Sequence, residues 1–412
     1  MSVGTRGDIE PFLAIAELLK AKGHQVVCAL PEQFSNLADD SHVRSISLGS
    51  AFTNLLESTD AKTAMGGKES ALNKVGAYIR LYRQSSKINK DLLAQEENIV
   101  RQVSPDRVIY GGKAMYPIIW GIRNPKRSIR VSPVPCLIHF VRDHPNVGFH
   151  GNYGSFLNRI TYSLANFAFV RSILSITKEL RKFPKITGKD VKKAILTKKM
   201  IYAISPSIFP RPNYWPENAR VLGFHERSKT LHWHPDDNLV RFLGRHEKVL
   251  LVTFGSMTNP EPAAKTKIIL DILQQHRIPA VVNTAAGGVK EPIDYNAGLV
   301  HFVRDVPYDW ILPRVYGVVH HGGSGATHVA LKYGCVSMII PHIIDQYLWN
   351  DLLCSLGVGP KGIAINKITK ENLEPKILDL IRNLSYKANA LRLSGEMREE
   401  NLRDELYKSI VE

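Results

Sequence analysis

The sequence predicts an α/β protein with two doubly wound parallel sheets. Apolar, β-branched segments of strand length alternate with helical segments in both halves of the chain. A stretch with four prolines at 208–246 interrupts this alternation, and regular elements tolerate few prolines. The chain of 412 residues is also longer than one hydrophobic core usually supports. We therefore expect one domain over 1–220, a second over 236–390 and a separate C-terminal helical segment over 391–412.

The first half begins with a predicted helix from Pro11 to Ala21, which Gly23 ends. The segment from Ser70 to Arg101 has the pattern of one or two amphipathic helices. Short segments rich in apolar and β-branched residues predict the strands of a parallel sheet. These segments are Gln25–Leu30, Arg44–Leu48, Arg107–Tyr110 and Cys136–Val141.

The second half restarts the alternation after the proline-rich stretch. A predicted strand over Val249–Phe254 is followed by a glycine loop and a helix over Pro262–Gln275. A charged segment over Lys387–Val411 predicts a single final helix. Further apolar segments of strand length are Ala280–Asn283, Val300–Val303, Val315–His320 and Val336–Ile340. This order is that of a second doubly wound sheet.

Charge and cysteine content limit the classes of partner and compartment. The net charge of +16 points to an anionic partner, either a membrane surface or nucleic acid. No interleaving of aromatic and basic residues accompanies the charge, so we expect no nucleic acid partner. The four cysteines lie far apart, which argues against a disulfide framework or a zinc site and suits the reducing cytoplasm.

The basic residues cluster after an apolar segment. Ile160–Ile176 is mostly apolar, and Lys178–Lys199 holds nine Lys and Arg residues against Glu179 and Asp190. An apolar helix followed by a basic one is typical of a peripheral enzyme on the inner, anionic face of a membrane. The alternative is a buried helix followed by a solvated one. No uninterrupted apolar run is long enough to span a bilayer.

A glycine-rich turn between a strand and a helix predicts a phosphate site in the second domain. Residues His320–Thr327 read His-His-Gly-Gly-Ser-Gly-Ala-Thr and follow an apolar strand. Such a turn lets backbone N–H groups approach an anion, which the helix dipole also attracts, and His321 can add a hydrogen bond or a positive charge. The next strand delivers Asp345 and Gln346 near the same edge. A carboxylate beside an amide suits sugar hydroxyls, so the combination predicts a nucleotide-sugar site.

The segment from Val306-Pro307-Tyr308-Asp309-Trp310 to Gly357-Val358-Gly359-Pro360 resembles the donor-site signature of the UDP-dependent glycosyltransferases. It is most similar to the branch that holds sterol glucosyltransferases, glycopeptide glycosyltransferases and bacterial rhamnosyltransferases. The loops Gly4–Phe12 and Phe254–Met257 resemble the same branch, whereas 50–215 matches it weakly. The resemblance implies the GT-B fold, in which two facing Rossmann-like domains hold a cleft and the C-terminal segment crosses back onto the first domain.

The resemblance also implies a catalytic base in the first loop. Asp8 is the candidate, because it stands where plant relatives carry a catalytic histidine and a carboxylate can accept a proton in the transition state. The structural alternative is that Asp8 caps the helix beginning near Pro11. Glu10 is a weaker candidate base, and Arg6 is expected to orient the loop or to pair with a carboxylate.

The donor site follows from the same resemblance. His321, the backbone from Gly323 to Ala326, the Thr327 hydroxyl and Ser256 are expected to contact the diphosphate, while Asp345 and Gln346 hold sugar hydroxyls. These groups would take the place of a divalent cation, so we expect no metal and no cofactor. The candidate donor-binding residues are Ser256, Val306, His321, Gly323, Ser324, Gly325, Ala326, Thr327, Asp345 and Gln346.

Three departures from the plant pattern leave the nucleobase open. Asp305 stands where plant enzymes carry a base-stacking tryptophan, Tyr308 replaces a glutamine, and Val329 replaces a ribose-binding glutamate. Trp310 is expected to line the base pocket or to serve in packing. UDP is the first candidate for the nucleotide and dTDP the second.

These observations predict an inverting, metal-independent glycosyltransferase. It would move a hexose, with glucose the first candidate, from a UDP-sugar to a hydroxyl of an apolar acceptor such as a lipid, a sterol-like compound or a polyketide. The alternatives are a nucleotide-sugar epimerase of similar two-domain shape and a catalytically inactive nucleotide-sugar-binding module. The sequence does not identify the acceptor, because the acceptor-binding loops fall in the region that matches the family weakly.

The first strand is expected to be short. Family members begin with a full apolar strand before the Gly-Thr-Arg-Gly-Asp loop, whereas only Met1, Ser2 and Val3 precede Gly4 here. We expect the natural start to lie upstream. Otherwise the first strand should be a stub with unpaired neighbours and a mobile Asp8 loop.

Overall fold

The computed structural model describes the chain except residues 59–70, 181–185, 228–232, Ser256, Pro260 and Ala286. The described residues form two compact units. The first holds residues 1–58, 74–227 and 401–412, and the second holds 71–73 and 233–400.

The first unit is a layered α/β domain. Its parallel strands are β1 (Val27–Leu30), β2 (Arg44–Ser47), β3 (Val108–Tyr110), β4 (Ser128–Ser132), β5 (Met200–Tyr202) and β6 (Ala219–Val221). Its helices are α1 (Arg6–Ala21), α2 (Ser35–Asp40), α3 (Ala51–Glu57), α4 (Ala71–Val103), α5 (Tyr116–Arg123), α6 (Ser155–Leu180) and α7 (Gly188–Thr197). Strands β1 and β2 pair with each other, and the other four follow the order β3-β4-β5-β6.

Residues 1–3 lie between these two groups of strands. The Ser2 N–H donates to the Ala29 carbonyl over 3.1 Å, and the Gly111 N–H donates to the Met1 carbonyl over 2.9 Å. Val3 is buried against a cluster that includes Ala29. The segment thus occupies the place of a strand between β1 and β3. The expectation that its neighbours would be unpaired is wrong, because both donate or accept hydrogen bonds there.

Helix α1 fixes the loop that carries Asp8. One face, including Ile9 and Leu13, is buried with residues of β1, and the opposite face, including Phe12 and Ile15, is buried with residues of β4 and β5. The helix begins at Arg6, not near Pro11 as expected. A proline suits a helix start because it lacks an N–H, but hydrogen bonds between Thr5 and Asp8 stabilise an earlier first turn.

The predicted strand over Cys136–Val141 is wrong. This segment is irregular, and Cys136 has a φ of +56°, which interrupts a strand. The strand lies earlier, at β4. All of its residues are buried, but the charged Arg130 interrupts the apolar pattern that would have predicted a buried strand. The Arg130 guanidinium lies 5.2 Å from the Phe169 ring and donates from one nitrogen to the Gly112 carbonyl, and these contacts offset part of the cost of its burial.

The second unit is the predicted doubly wound sheet. Its strands are β7 (Leu250–Thr253), β8 (Ala280–Asn283), β9 (Val300–Val303), β10 (Gly317–His320) and β11 (Val336–Ile339). Its helices are α8 (Asp237–Arg245), α9 (Pro262–Gln275), α10 (Tyr308–Ile311), α11 (Ser324–Lys332), α12 (Asp345–Ser355), α13 (Lys370–Arg382) and α14 (Leu384–Glu399). All five strands are parallel in the order β9-β8-β7-β10-β11.

The predicted final helix is two helices. Helix α14 ends at Glu399, and α15 (Arg403–Val411) follows after a break at which Glu400 is extended. The two helices pack on different cores, which requires the break. Ala390 and Leu393 are buried in the second unit, whereas Leu406 and Ile410 join the core cluster of α1.

Candidate functional site

The second unit has a topological switch point between β7 and β10. These strands are neighbours, and the chain order runs outward in opposite directions from them. In an open α/β sheet, ligands bind outside the carboxyl ends of the strands at such a point. The loop Phe254–Gly255 follows β7, and the loop His321–Gly323 follows β10. The sequence-predicted phosphate turn therefore lies where the topology favours a ligand.

Two glycines allow these loops to approach each other. Gly255 has a φ of +55°, and a Cβ there would lie 2.9 Å from the His321 Cε1. Gly322 has a φ of +91°, and a Cβ there would lie 2.5 Å from the Ile339 side chain. Any larger residue would strain the backbone and displace its neighbour. The two glycines thus keep His321 against the loop after β7.

The N-terminus of α11 presents backbone donors at this point. Gly323 is the N-cap, and an added Cβ at Gly325 would meet no atom within 4 Å, so the first turn faces open space. The first three N–H groups of a helix have no acceptor within it and carry the positive end of its dipole. The Thr327 hydroxyl is fully buried and donates to the Gly323 carbonyl over 2.9 Å. The hydroxyl therefore stabilises the turn. The sequence predicted that it would contact the diphosphate, but its proton is directed to the backbone instead.

The histidines of the site are neutral at pH 7. Burial lowers the pKa of His321 well below its usual value, and it lowers the pKa of His320 to about 3 and that of His342 to about 4. His321 can thus supply a hydrogen bond but not the positive charge that the sequence left open. Its Nδ1 is buried and has no hydrogen-bond partner among the described residues. A buried ring nitrogen without a partner can form a hydrogen bond with a ligand.

The loop after β11 brings a third histidine to the same edge. The His342 ring lies 4.9 Å from the Phe254 ring, at the loop after β7. Its Nδ1 donates to the Ile340 carbonyl over 2.9 Å, so its Nε2 is an acceptor, and that atom is buried without a partner in the described chain. No role for His342 was predicted from the sequence. Its position directly after an apolar strand of the same sheet was the available signal.

The predicted sugar-binding pair begins α12. Asp345 is half-buried at the helix start, whereas Gln346 is 3% exposed. The Gln346 Oε1 accepts the N–H groups of His342 and Ile343 over 2.7 and 3.1 Å. Only the NH₂ group of Gln346 is left for a ligand, and Asp345 supplies the acceptor.

The loop after β9 lies on the other side of β7. Val306 is buried, so it can meet a ligand only through its backbone. The Tyr308 hydroxyl lies 3.1 Å from the Thr253 hydroxyl at the end of β7. Trp310 packs 5.0 Å from Trp233 with the Arg314 guanidinium 4.4 Å from its ring, which is a packing role. Ser256, the remaining predicted donor residue, lies outside the described residues.

In the first unit, Asp8 is held through one oxygen. Its Oδ2 accepts the Thr5 N–H over 2.9 Å, the Thr5 hydroxyl over 3.2 Å and the Lys113 ammonium over 2.9 Å. Its Oδ1 has no partner among the described residues, and the side chain is 29% exposed. Asp8 therefore stabilises the first turn of α1, as the structural alternative proposed. One oxygen is still left for a proton.

Glu10 is a poor candidate base. The Arg6 guanidinium contacts its Oε1 over 2.9 Å, and the Arg227 guanidinium contacts its Oε2 over 2.8 Å. Both oxygens are engaged, and Arg227 is 4% exposed. Arg6 pairs with a carboxylate, as the sequence predicted.

Lys113 is a functional candidate that sequence reasoning missed. It follows β3 in the loop that leads to α5, and it contacts the base candidate Asp8. Glu96 supports this loop, because its Oε2 accepts the N–H groups of Met115 and Tyr116 over 3.0 and 2.7 Å. Burial raises the pKa of Glu96 to about 7. The signal was the pair Gly111–Gly112 directly after a strand.

Comparison with known proteins assigns both ends of the chain. Residues 1–100 match the Glycosyltransferase family 28 N-terminal domain. Residues 281–412 match the Erythromycin biosynthesis protein CIII-like, C-terminal domain. A solved structure, the glycosyltransferase of kitacinnamycin, covers 99% of this chain and 97% of its own, with a TM-score of 0.72 at 16% identity. This chain has the GT-B glycosyltransferase fold.

Other known proteins resemble nearly the whole chain. The glycosyltransferase VinC in complex with dTDP covers 99% of this chain and 97% of its own, with a TM-score of 0.65 at 17% identity. A sterol 3-beta-glucosyltransferase of Arabidopsis thaliana is 27% identical over 97% of this chain. One of Komagataella phaffii is 22% identical over 97%. This chain spans 62% and 33% of the length of those two relatives.

Proposed function

We propose that this protein is an inverting, metal-independent glycosyltransferase. It moves a hexose, with glucose the first candidate, from a UDP-sugar to a hydroxyl of an apolar acceptor. The observation that carries the proposal is the pair of glycine loops and the α11 N-terminus at the switch point of the second unit. Sterol glucosyltransferases among the relatives support an acceptor of the lipid, sterol-like or polyketide class.

The second unit would hold the donor. The backbone N–H groups from Gly323 to Ala326 would face the diphosphate, and the helix dipole would offset its charge. His321 would add one hydrogen bond, directed from a neutral ring. These groups would also stabilise the leaving nucleoside diphosphate as the bond to the anomeric carbon breaks, which is the work a divalent cation would otherwise do.

The sugar and the nucleobase would lie to either side of the diphosphate. Asp345 would accept hydrogen bonds from sugar hydroxyls, and the Gln346 NH₂ group would donate to them. On the other side, an open cavity of about 400 Å³ lies beyond β8 and β9, with polar and apolar lining residues that include Thr284, Phe302 and Arg304. It lies beside the Val306 loop and suits a pyrimidine base, which allows UDP or dTDP.

The first unit would supply the base. Asp8 would take the acceptor's proton through Oδ1 as the hydroxyl oxygen attacks the anomeric carbon. Lys113 would be a positioning residue, because its contact with Oδ2 fixes the rotamer that presents Oδ1. Attack from the face opposite the leaving diphosphate inverts the anomeric configuration.

We place this reaction at the cytoplasmic face of an anionic membrane. The net charge of +16 supports this placement, and an apolar acceptor would be dissolved in such a membrane. In the described part of the chain, no helix is long and apolar enough to cross a bilayer.

Donor binding tests the proposal without knowledge of the acceptor. Titration calorimetry with UDP, dTDP and ADP should show binding to UDP or dTDP and weak binding to ADP, and excess chelator should change none of these affinities. Binding that disappears with chelator and returns with magnesium would contradict metal independence. Preference for ADP would contradict the assigned donor. Conversion of UDP-glucose to another UDP-hexose without any acceptor would favour the epimerase instead.

A further inference from the structure

Helix α6 is apolar on two faces. Its inner face is buried in the first unit and includes Tyr162, Val170, Ile173 and Ile176. The opposite face, which we call the exposed apolar face, consists of Phe156, Leu157, Ile160, Leu164 and Phe167. A helix that is apolar all round is expected in a core or in contact with lipid. Because α6 covers the core with one face only, its other face requires a partner.

The exposed apolar face is a continuous stripe. At 3.6 residues per turn, its five side chains fall within an arc of about 100° along three turns. Phe156 is 76% exposed and Phe167 is 61% exposed. Seven of the thirteen large apolar side chains that the described chain exposes lie at 149–167. Single exposed apolar residues are ordinary, but a patch of this kind marks an interaction site.

The surroundings of the stripe are cationic. No Asp or Glu occurs from His144 to Lys178. Arg159 and Arg171 are exposed on α6, and the Arg171 guanidinium lies 5.6 Å from the Phe167 ring. Helix α7 packs against α6 and exposes Lys189, Lys192 and Lys193. Cations around an apolar stripe complement anionic headgroups above acyl chains.

Among the described residues, the basic run Lys178–Lys199 exposes fewer cations than the sequence predicted, and Arg181, Lys182 and Lys185 lie outside those residues. Lys198 and Lys199 are half-buried, and the Lys199 ammonium donates to the Ser409 carbonyl over 2.6 Å. The predicted apolar segment Ile160–Ile176 is also divided, because most of its second half is buried or half-buried. Exposed apolar side chains instead begin earlier, at Phe149 and Tyr153.

We propose that the exposed apolar face of α6 inserts into the interface of an anionic phospholipid membrane. Arg159, Arg171 and the α7 lysines would lie at the level of the headgroups. A second copy of the chain is a weaker fit, because pairing the same face would bring these cations together. This inference rests on the proposed function and extends it, because it names the membrane surface from which the protein would take an apolar acceptor. Membrane binding itself involves no catalysis.

Vesicle flotation with matched variants tests this inference. Phe156→Ser with Phe167→Ser removes the two phenylalanines of the stripe, and Ile293→Ser with Leu384→Ser removes two strongly exposed apolar side chains from the second unit. The first pair should lower binding to phosphatidylcholine–phosphatidylglycerol vesicles by about tenfold or more, given the transfer energy of such side chains. The control pair should bind like the unchanged protein. Phe156→Trp should show a blue-shifted emission on adding the same vesicles.

The outcomes separate the possible occupants. Equal binding of both pairs, equal binding to pure phosphatidylcholine, or no emission shift would overturn the inference. So would a dimer that the Phe156 and Phe167 changes make monomeric, because the occupant would then be a second copy. Loss of turnover on a water-soluble acceptor without vesicles would place the stripe in the acceptor site instead. Vesicle binding by a protein that transfers no sugar would leave this inference standing while the proposed function fails.

Discussion

At the scale of single residues, Asp8 is a carboxylate that stabilises the start of a helix and is also the proposed base. Its Oδ2 accepts from Thr5 and Lys113, while its Oδ1 has no partner in the described chain. The sequence predicted both roles as alternatives, because aspartate is favoured at helix starts and a loop after a strand lies near ligands. It could not predict Lys113, because that contact joins positions far apart in the chain through the sheet.

Replacing Asp8 by Asn should separate the two roles. The amide oxygen can still accept the Thr5 N–H, so α1 should remain folded, but the base is lost. Turnover should fall by roughly 10²–10⁴ with donor affinity unchanged. Steady-state kinetics and UDP calorimetry on the same preparation measure both quantities. The control is Glu10→Gln, which should lower the thermal stability of the protein but change turnover little. Near-normal turnover of Asp8→Asn would show that Asp8 is not the base.

Lys113 should act on turnover through Asp8 alone. Lys113→Met removes the ammonium that fixes Oδ2 and should lower kcat with little change in the KM for the donor. Lys113→Arg should restore much of the rate, because a guanidinium can make the same contact. A rise in donor KM with unchanged kcat would instead place Lys113 at the donor.

At the scale of elements, strand order positions the loops of the proposed donor site. The sequence predicted β8, β9 and α9 with the observed bounds, because apolar strands and a proline at a helix start give strong local signals. It did not predict β4 or the irregular segment at Cys136, because a buried arginine and a positive φ depend on tertiary contacts. The phosphate turn was predictable, but the neutrality of its histidine was not, since burial determines it.

The Gly255–His321 contact should control donor affinity. Gly255→Ala would strain the backbone at a φ of +55° and displace the His321 ring. UDP affinity should fall, as it should in His321→Ala, where a hydrogen bond to a charged group contributes about 1.5–3 kcal/mol. The control is Gly395→Ala on α14, where an added Cβ meets no atom within 4 Å. Calorimetry that finds unchanged UDP affinity in both site variants would place the diphosphate elsewhere.

At the scale of the whole molecule, buried histidines should make the fold sensitive to acid. Burial lowers the pKa of His139, His328 and His342 to about 4 and that of His320 to about 3, and His321 shifts in the same direction. The unfolded chain binds these protons below about pH 6.5, while the folded chain does not. The contribution of these histidines to the free energy of unfolding should therefore be constant above that pH and fall as the pH drops towards 4.

Urea unfolding between pH 8 and 4 measures this slope. His328→Gln should flatten it, since one group that protonates only on unfolding is removed, whereas exposed His234→Gln should not change it. Each unit by which a pKa differs between the folded and the unfolded chain corresponds to about 1.4 kcal/mol of unfolding free energy. The buried histidines together should therefore contribute a large part of an ordinary protein stability. An unfolding midpoint that stays constant from pH 7 to 4 would contradict the burial of these rings.

Product stereochemistry tests the central claim most directly. The protein should be incubated with UDP-α-glucose, a lipid extract or a sterol acceptor and excess chelator, with Asp8→Asn as the matched control. Mass spectrometry should show that the acceptor gains one hexose. The proton NMR coupling of the anomeric proton to its neighbour on C2 should show a β linkage. Product from the control should be strongly reduced. An α-linked product, or transfer that requires a metal or proceeds equally without Asp8, would contradict the account.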